Sequence, residues 1–146
     1  MNKRALIITT VSVIAFASET SNTTPTGDTV EEPSTDSSDA SEIAGRYVDY
    51  SESLVAESGF DTTILFFHAP WCPDCRAFDE SISSSQLPDS TQILKVDYDS
   101  SKDLRQRYGI TVQTTFVSVD SAGEAKQKWA GYGKETTLDA VLENTA

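Results

Sequence analysis

The stretch Thr62-Thr63-Ile64-Leu65-Phe66-Phe67-His68-Ala69-Pro70-Trp71-Cys72-Pro73-Asp74-Cys75 changes character halfway, and that change decides the fold. Residues 62–68 are a nearly continuous apolar run of strand length, the pattern of a central strand buried on both faces. The pattern then shifts. Pro73 stands where a first helical residue would, and Ala77, Phe78 and Ile82 supply the apolar positions of a helix over 72–82. Cys72 therefore falls just past the carboxyl end of the most apolar strand, where open α/β sheets hold their ligands.

Working outward, Arg46 to Tyr50 alternates and is rich in β-formers, so it reads as a short strand. Ser51 can cap a helix over 52–57 that Gly59 ends. Gln92 to Tyr98 is a second strong strand. Ser101 caps a helix from Lys102 to Tyr108, with Gly109 at its C-terminal end. Phe116 to Val119 is a strand that Asp120-Ser121-Ala122-Gly123 turns into another, Ala125 to Ala130. Thr137 to Asn144 closes as a helix through Leu138, Val141 and Leu142. The order β-α-β-α-β-α-β-β-α predicts an α/β domain over 42–146. Its mixed central sheet of four to five strands is flanked by helices on both faces.

The residues before this domain read differently. Lys3 and Arg4 precede a predominantly apolar run over 5–17, and Ala15-Phe16-Ala17 offers small residues where a signal peptidase reads. Residues 1–17 are expected to be a secretory signal, with an uncleaved anchor as the alternative. The run is shorter than the ~20 residues of a membrane span. Position 18 is Ser, not the Cys that lipidation requires. Residues 18–41 are dominated by Ser, Thr, Pro, Asp and Glu, too polar to offset the entropy of ordering, and read as a disordered tether. As a flexible chain it would reach roughly 25–30 Å. Asn22-Thr23-Thr24 fits a glycosylation sequon, a pattern common by chance. The expected location is extracytoplasmic: secreted, periplasmic or tethered to the outer face of a membrane. The formal net charge of −12 argues against nucleic acid and anionic membrane surfaces as partners.

The chain has two cysteines, Cys72 and Cys75. In a first helical turn, this spacing puts both on one face about 5–6 Å apart, within reach of a disulfide. Closing so small a ring stabilises little, about 2 kcal/mol against about 3 for a fifteen-residue loop. A redox role is therefore favoured over a structural bridge. A structural zinc site is disfavoured, since no second Cys pair exists and His68 is the only histidine. At a helix start, unpaired N–H groups and the dipole favour the Cys72 thiolate. Pro73 removes one donor and fixes the turn, while the charge of Asp74 opposes the thiolate. The terms oppose one another, so the direction of exchange stays open.

The segment from Phe66 to Cys75 strongly resembles the active-site segment of the thioredoxin superfamily. The likeness continues through Leu94-Lys95-Val96-Asp97, similar to the family's next strand. Tyr108-Gly109-Ile110 followed by Thr114-Thr115-Phe116 is spaced like the segment around the family's cis-proline. The resemblance spans 46–146 and implies a thioredoxin fold and a two-step exchange. Cys72 attacks a substrate disulfide, and the more buried Cys75 resolves the mixed disulfide. It further implies that Trp71 shields the site and that the backbone near Thr114 and Gly131 pairs with an extended substrate. Lys95 keeps a lysine the family carries. His68, in place of a common Trp, and Asp74 are candidate acid/base groups.

Three further departures qualify the resemblance. Thr114 replaces the family's proline, and a cis bond before a non-proline costs about 2.5–4 kcal/mol, so a trans Gln113–Thr114 bond is expected. That proline also helps keep metals off the dithiol. Phe66 stands where the family has a buried Asp, and Glu80 where it has a helix-kinking proline. The resulting expectation is a protein thiol–disulfide oxidoreductase acting in cell redox homeostasis. Its partners would be protein thiols and disulfides and an unidentified membrane or exported redox protein. It would be a monomer, with no cofactor and no resident metal. The alternatives are a thioredoxin-like module that holds copper through Cys72, Cys75 and His68, and a non-catalytic interaction domain.

Overall fold

A computed structural model describes residues 43–146. The signal and tether expected over 1–41 lie outside the described residues. The elements are β1 (Arg46–Asp49), α1 (Glu52–Val55), β2 (Thr62–His68), α2 (Pro73–Ser84), β3 (Thr91–Asp97), α3 (Lys102–Tyr108), β4 (Thr115–Val119), β5 (Ala125–Ala130) and α4 (Leu138–Thr145). Both the order and the types match those read from the sequence.

One five-stranded sheet runs β1-β3-β2-β4-β5. The strands β1, β3 and β2 are parallel, while β4 runs antiparallel to β2 and to β5. The central place of β2 explains its composition. Ile64, Leu65, Phe66 and Phe67 are all fully buried, because their strand has neighbours on both edges and helices over both faces. At about 1.5–3 kcal/mol per side chain, these four alone supply roughly 6–12 kcal/mol before chain entropy is set against them. Ile64 and Phe66 face α2 and α4, where they meet Phe78, Ile82, Leu138 and Val141. Leu65 and Phe67 face the other way, toward Val55 of α1 and Tyr108 of α3. The antiparallel course of β4 brings its first residues to the same end of the sheet as the last residues of β2, with Phe67 opposite Thr115.

Helix α2 begins as read, with Cys72 as N-cap and Pro73 as the first helical residue. Helix α1 is shorter than expected. It ends at Val55 with Ala56 as its cap, and Gly59 adopts φ 99° in the turn beyond. Val55 is its one buried residue, so a longer helix would bury nothing more. Ser51 and Ser101 occupy cap positions without bonding their helices through the side chain. Thr137 does cap α4, its hydroxyl accepting from Ala140 N at 3.2 Å.

Candidate active site

Cys72 and Cys75 are free thiols packed into the core between α2 and the sheet. The turn that delivers them is closed by Cys72 N donating to Ala69 O at 3.1 Å. Both are covered, with exposures of 1% and 0%. Cys75 is the more deeply set of the two, as expected, and Gln113 and Thr114 lie against Cys72.

Thr114 is the centre of the site. Its Oγ1 lies 3.0 Å from Cys75 Sγ and 3.5 Å from Cys72 Sγ. Gln113 Nε2 donates to Cys72 Sγ at 3.7 Å. The Gln113–Thr114 bond is trans, as expected, and Thr114 instead adopts φ 60°. A β-branched residue rarely takes this left-handed conformation, and the strain is of order 1–3 kcal/mol. Two hydrogen bonds hold it. Thr114 N donates to Phe67 O at 2.9 Å, and Gly131 N donates to Thr114 O at 2.8 Å.

The environment splits the two thiols. Burial pushes the Cys72 thiol up, but hydrogen bonds from Thr114, Cys75 and Gln113 outweigh it and hold Cys72 below its ordinary value. For Cys75, burial prevails over the Thr114 contact and, with Cys72 beside it, pushes the thiol above its ordinary value. One thiolate and one thiol side by side is the charge state this geometry favours.

The remaining expected residues divide into those beside the sulfurs and those elsewhere. Trp71 is 58% exposed, and its Nε1 donates to Asp99 Oδ2 at 2.9 Å, so the ring stands out beside Cys72. Asp74 Oδ2 accepts from Gly133 N at 2.8 Å and ties the start of α2 to the loop after β5. The main-chain N–H of Thr114 is taken by Phe67 O, and its carbonyl already accepts from Gly131 N. The main chain of Gln113 makes no hydrogen bond among the described residues. Gly131 is close-packed: a Cβ there would meet Phe78 Cε2 at 3.0 Å and Phe116 Cε2 at 3.3 Å.

His68 and Lys95 belong to a separate charged cluster centred on Asp79. Tyr47 donates its hydroxyl to Asp79 at 2.5 Å, Lys95 Nζ lies 3.3 Å away, and His68 Nε2 stands 4.0 Å from the carboxylate. The Asp79 carboxyl feels burial, but the Tyr47 hydroxyl and Lys95 prevail and hold it below its ordinary value. Burial is the main reason that the His68 ring is harder to protonate than usual. No hydrogen bond joins His68 to either cysteine among the described residues, and its Nε2 is unpartnered. Among the described residues, no three His, Cys, Asp or Glu side chains are grouped so as to hold a metal ion. A cleft of about 310 Å³, lined by Asp49, His68, Lys95 and Asp97 among others, opens beside the cluster.

Sequence reasoning missed Gln113, Asp79 and Asp99. Asp79 had a signal, lying one helical turn after Cys75 and so on the same face. Gln113 and Asp99 had none, because their partners are remote in the chain.

Comparison with known proteins agrees with this architecture. The thioredoxin family model matches residues 48–144. Thioredoxin H4 of Arabidopsis thaliana is 29% identical over 84 residues, covering 56% of this chain and 70% of that protein. A thioredoxin-like protein of Fusarium culmorum is 34% identical over 58 residues, which is 37% of this chain and 48% of the relative. Protein disulfide isomerase-like 2-2 of Oryza sativa subsp. japonica is 29% identical, over only 24% of its length. The fold alone is shared with a solved structure of Trxlp from Edwardsiella tarda, at TM-score 0.54 and 20% identity, covering 69% of this chain and all of that one. The family match runs from β1 into α4 and takes in both sulfurs and the threonine between them: the chain belongs to the thioredoxin family, with a function of the thiol–disulfide oxidoreductase type.

Proposed function

We propose that this protein exchanges its Cys72–Cys75 dithiol or disulfide with protein substrates outside the cytoplasm. In the reducing direction, the Cys72 thiolate attacks a substrate disulfide. A Cys72–substrate S–S bond forms, the substrate S–S bond breaks, and one substrate sulfur leaves with the electron pair. Cys75 then gives its proton to the substrate sulfur just released and attacks Cys72 Sγ. The Cys72–Cys75 bond forms and the second substrate sulfur leaves, so the substrate gains two electrons and the dithiol loses them. Run backward, the same steps oxidise substrate thiols.

The observation that carries this reading is the contrast within the pair: a Cys72 thiol held low and a Cys75 thiol pushed high, around one hydroxyl. A protein substrate is favoured by the exposed apolar residues flanking the sulfur-contacting segments, namely Trp71, Val112 and Tyr132 at 58%, 43% and 61% exposure. The unpaired main chain of Gln113 offers an extended peptide a place to bond. The extracytoplasmic assignment rests on the basic start and apolar run of residues 3–17. It requires a membrane or exported partner to renew the pair.

Insulin-disulfide reduction driven by dithiothreitol tests the activity. Wild type accelerates insulin precipitation, and Cys72→Ser abolishes the acceleration. Equal rates for the two would refute the assignment. Fractionation of expressing cells tests the location, and recovery of the protein in the cytoplasm would overturn that part.

A further inference from the structure

We infer that the Thr114 hydroxyl is a catalytic hydrogen-bond donor that serves the two sulfurs in turn, Cys72 before the mixed disulfide forms and Cys75 after it. The inference rests on the exchange reading above. It starts from a count of hydrogens. Thr114 is fully buried, and its hydroxyl contacts Cys75 Sγ at 3.0 Å and Cys72 Sγ at 3.5 Å, with no other partner among the described residues. A hydroxyl has one proton to give and can also accept. A thiolate can only accept. When Cys72 carries the charge, the chain must run Cys75 S–H to Thr114 Oγ1, and Thr114 O–H to Cys72 Sγ. That order matches the environment, which favours Cys72 as the thiolate and Cys75 as the thiol.

Once Cys72 is bonded to substrate, its sulfur has lost its charge and accepts poorly. The hydroxyl is then free to rotate toward Cys75. As Cys75 deprotonates to attack, the same proton that steadied the first thiolate steadies the second. No backbone movement is needed, because rotation about one side-chain bond redirects the donor. The left-handed backbone of Thr114 places the hydroxyl between the sulfurs, and the bonds to Phe67 O and from Gly131 N keep it there.

The charged groups on the packed elements are engaged elsewhere. On α2, Asp74 bonds Gly133 N and Asp79 bonds Tyr47 and Lys95. At the end of β2, His68 Nε2 stands 4.0 Å from Asp79, and the ring bonds neither sulfur among the described residues. The segment leading into β4 presents only the uncharged Gln113 and Thr114 to the sulfurs.

The test compares Thr114→Val, which keeps the branched shape without the hydroxyl, with Thr114→Ser, which keeps the hydroxyl. Three quantities are read: the pH dependence of Cys72 alkylation, the Cys72–Cys75 reduction potential, and single-turnover release of thionitrobenzoate after Ellman's reagent has modified Cys72. Loss of one hydrogen bond to a charged sulfur is expected to cost about tenfold. Thr114→Val should shift the alkylation profile to higher pH and slow thionitrobenzoate release about tenfold. Tenfold in the exchange equilibrium moves the potential about 30 mV more negative, since the hydroxyl favours the reduced form. Thr114→Ser should stay near wild type in all three. If the Val variant does not accumulate, Thr114→Ala serves the same readouts. A hydroxyl-free variant that matches wild type, or a Ser variant as impaired as Val, overturns the inference while exchange itself stands. A wild type whose Cys72 fails to react overturns the exchange reading and this inference with it.

Discussion

Phe66→Ala is the substitution that asks most of the core. The Phe66 ring is fully buried, stacked on Phe116 with centroids 4.4 Å apart and planes 7° from parallel, and edge-on to Phe78 at 6.3 Å. Its partners are fixed in turn, since Phe116 lies directly across the ladder and Phe78 is anchored in α2. The cavity left by truncation therefore has little room to collapse, which places the cost toward the upper part of the usual ~3–5 kcal/mol. At about 4 kcal/mol, and roughly 4–6 °C per kcal/mol for a domain of this size, Tm should fall by roughly 16–24 °C. Urea unfolding followed by tryptophan fluorescence measures the loss from the midpoint, with the slope unchanged. The effect should reach the site, because Cys72 and Cys75 belong to the same packed cluster as Phe66 and Phe116 lies two residues after Thr114. A loss below about 1 kcal/mol with an unchanged slope would refute the claim that this aromatic stack organises the face carrying the sulfurs.

Two further outcomes follow from the same geometry. His68 titrates below its ordinary 6.5 in the folded protein, so the unfolded chain binds more protons just below that pH. Its contribution should be complete above about pH 6.5 and be lost as pH falls through the lower folded value. Urea midpoints between pH 7.5 and 5.5 should therefore fall less for His68→Gln than for wild type, and equal slopes would remove His68 from the account. Gly131→Ala should cost about 1–3 kcal/mol by overpacking, because the new methyl would press on the buried Phe78 ring. An unchanged urea midpoint would show that the ring yields freely.

The fold was legible because its signals are local. The apolar run of β2, Pro73 at the head of α2 and the Asp120–Gly123 turn each act on their own segment, and their order dictated the mixed sheet. Helix α1 ends at Val55, short of the position that Gly59 marks, and Gly59 instead shapes the turn beyond it. The cysteine pair was readable from spacing, but its surroundings were not. Thr114 Oγ1 meets the sulfurs across 39 and 42 residues of chain. Asp79 gathers Tyr47 from 32 residues away, and His68, a candidate acid/base group in the sequence, lies 4.0 Å from that carboxylate. Contacts of this kind depend on strand order, which no single segment contains.

The antiparallel placement of β4 against β2 has a consequence for the newly made chain. Cys72 and Cys75 are fixed early in sequence, yet both donors outside their own helix, Gln113 and Thr114, arrive only when β4 zips onto β2. A chain whose later part has not yet docked carries two ordinary thiols at an unfinished helix start. The contrast between the two sulfurs is therefore a property of the finished sheet and not of the segment that carries them.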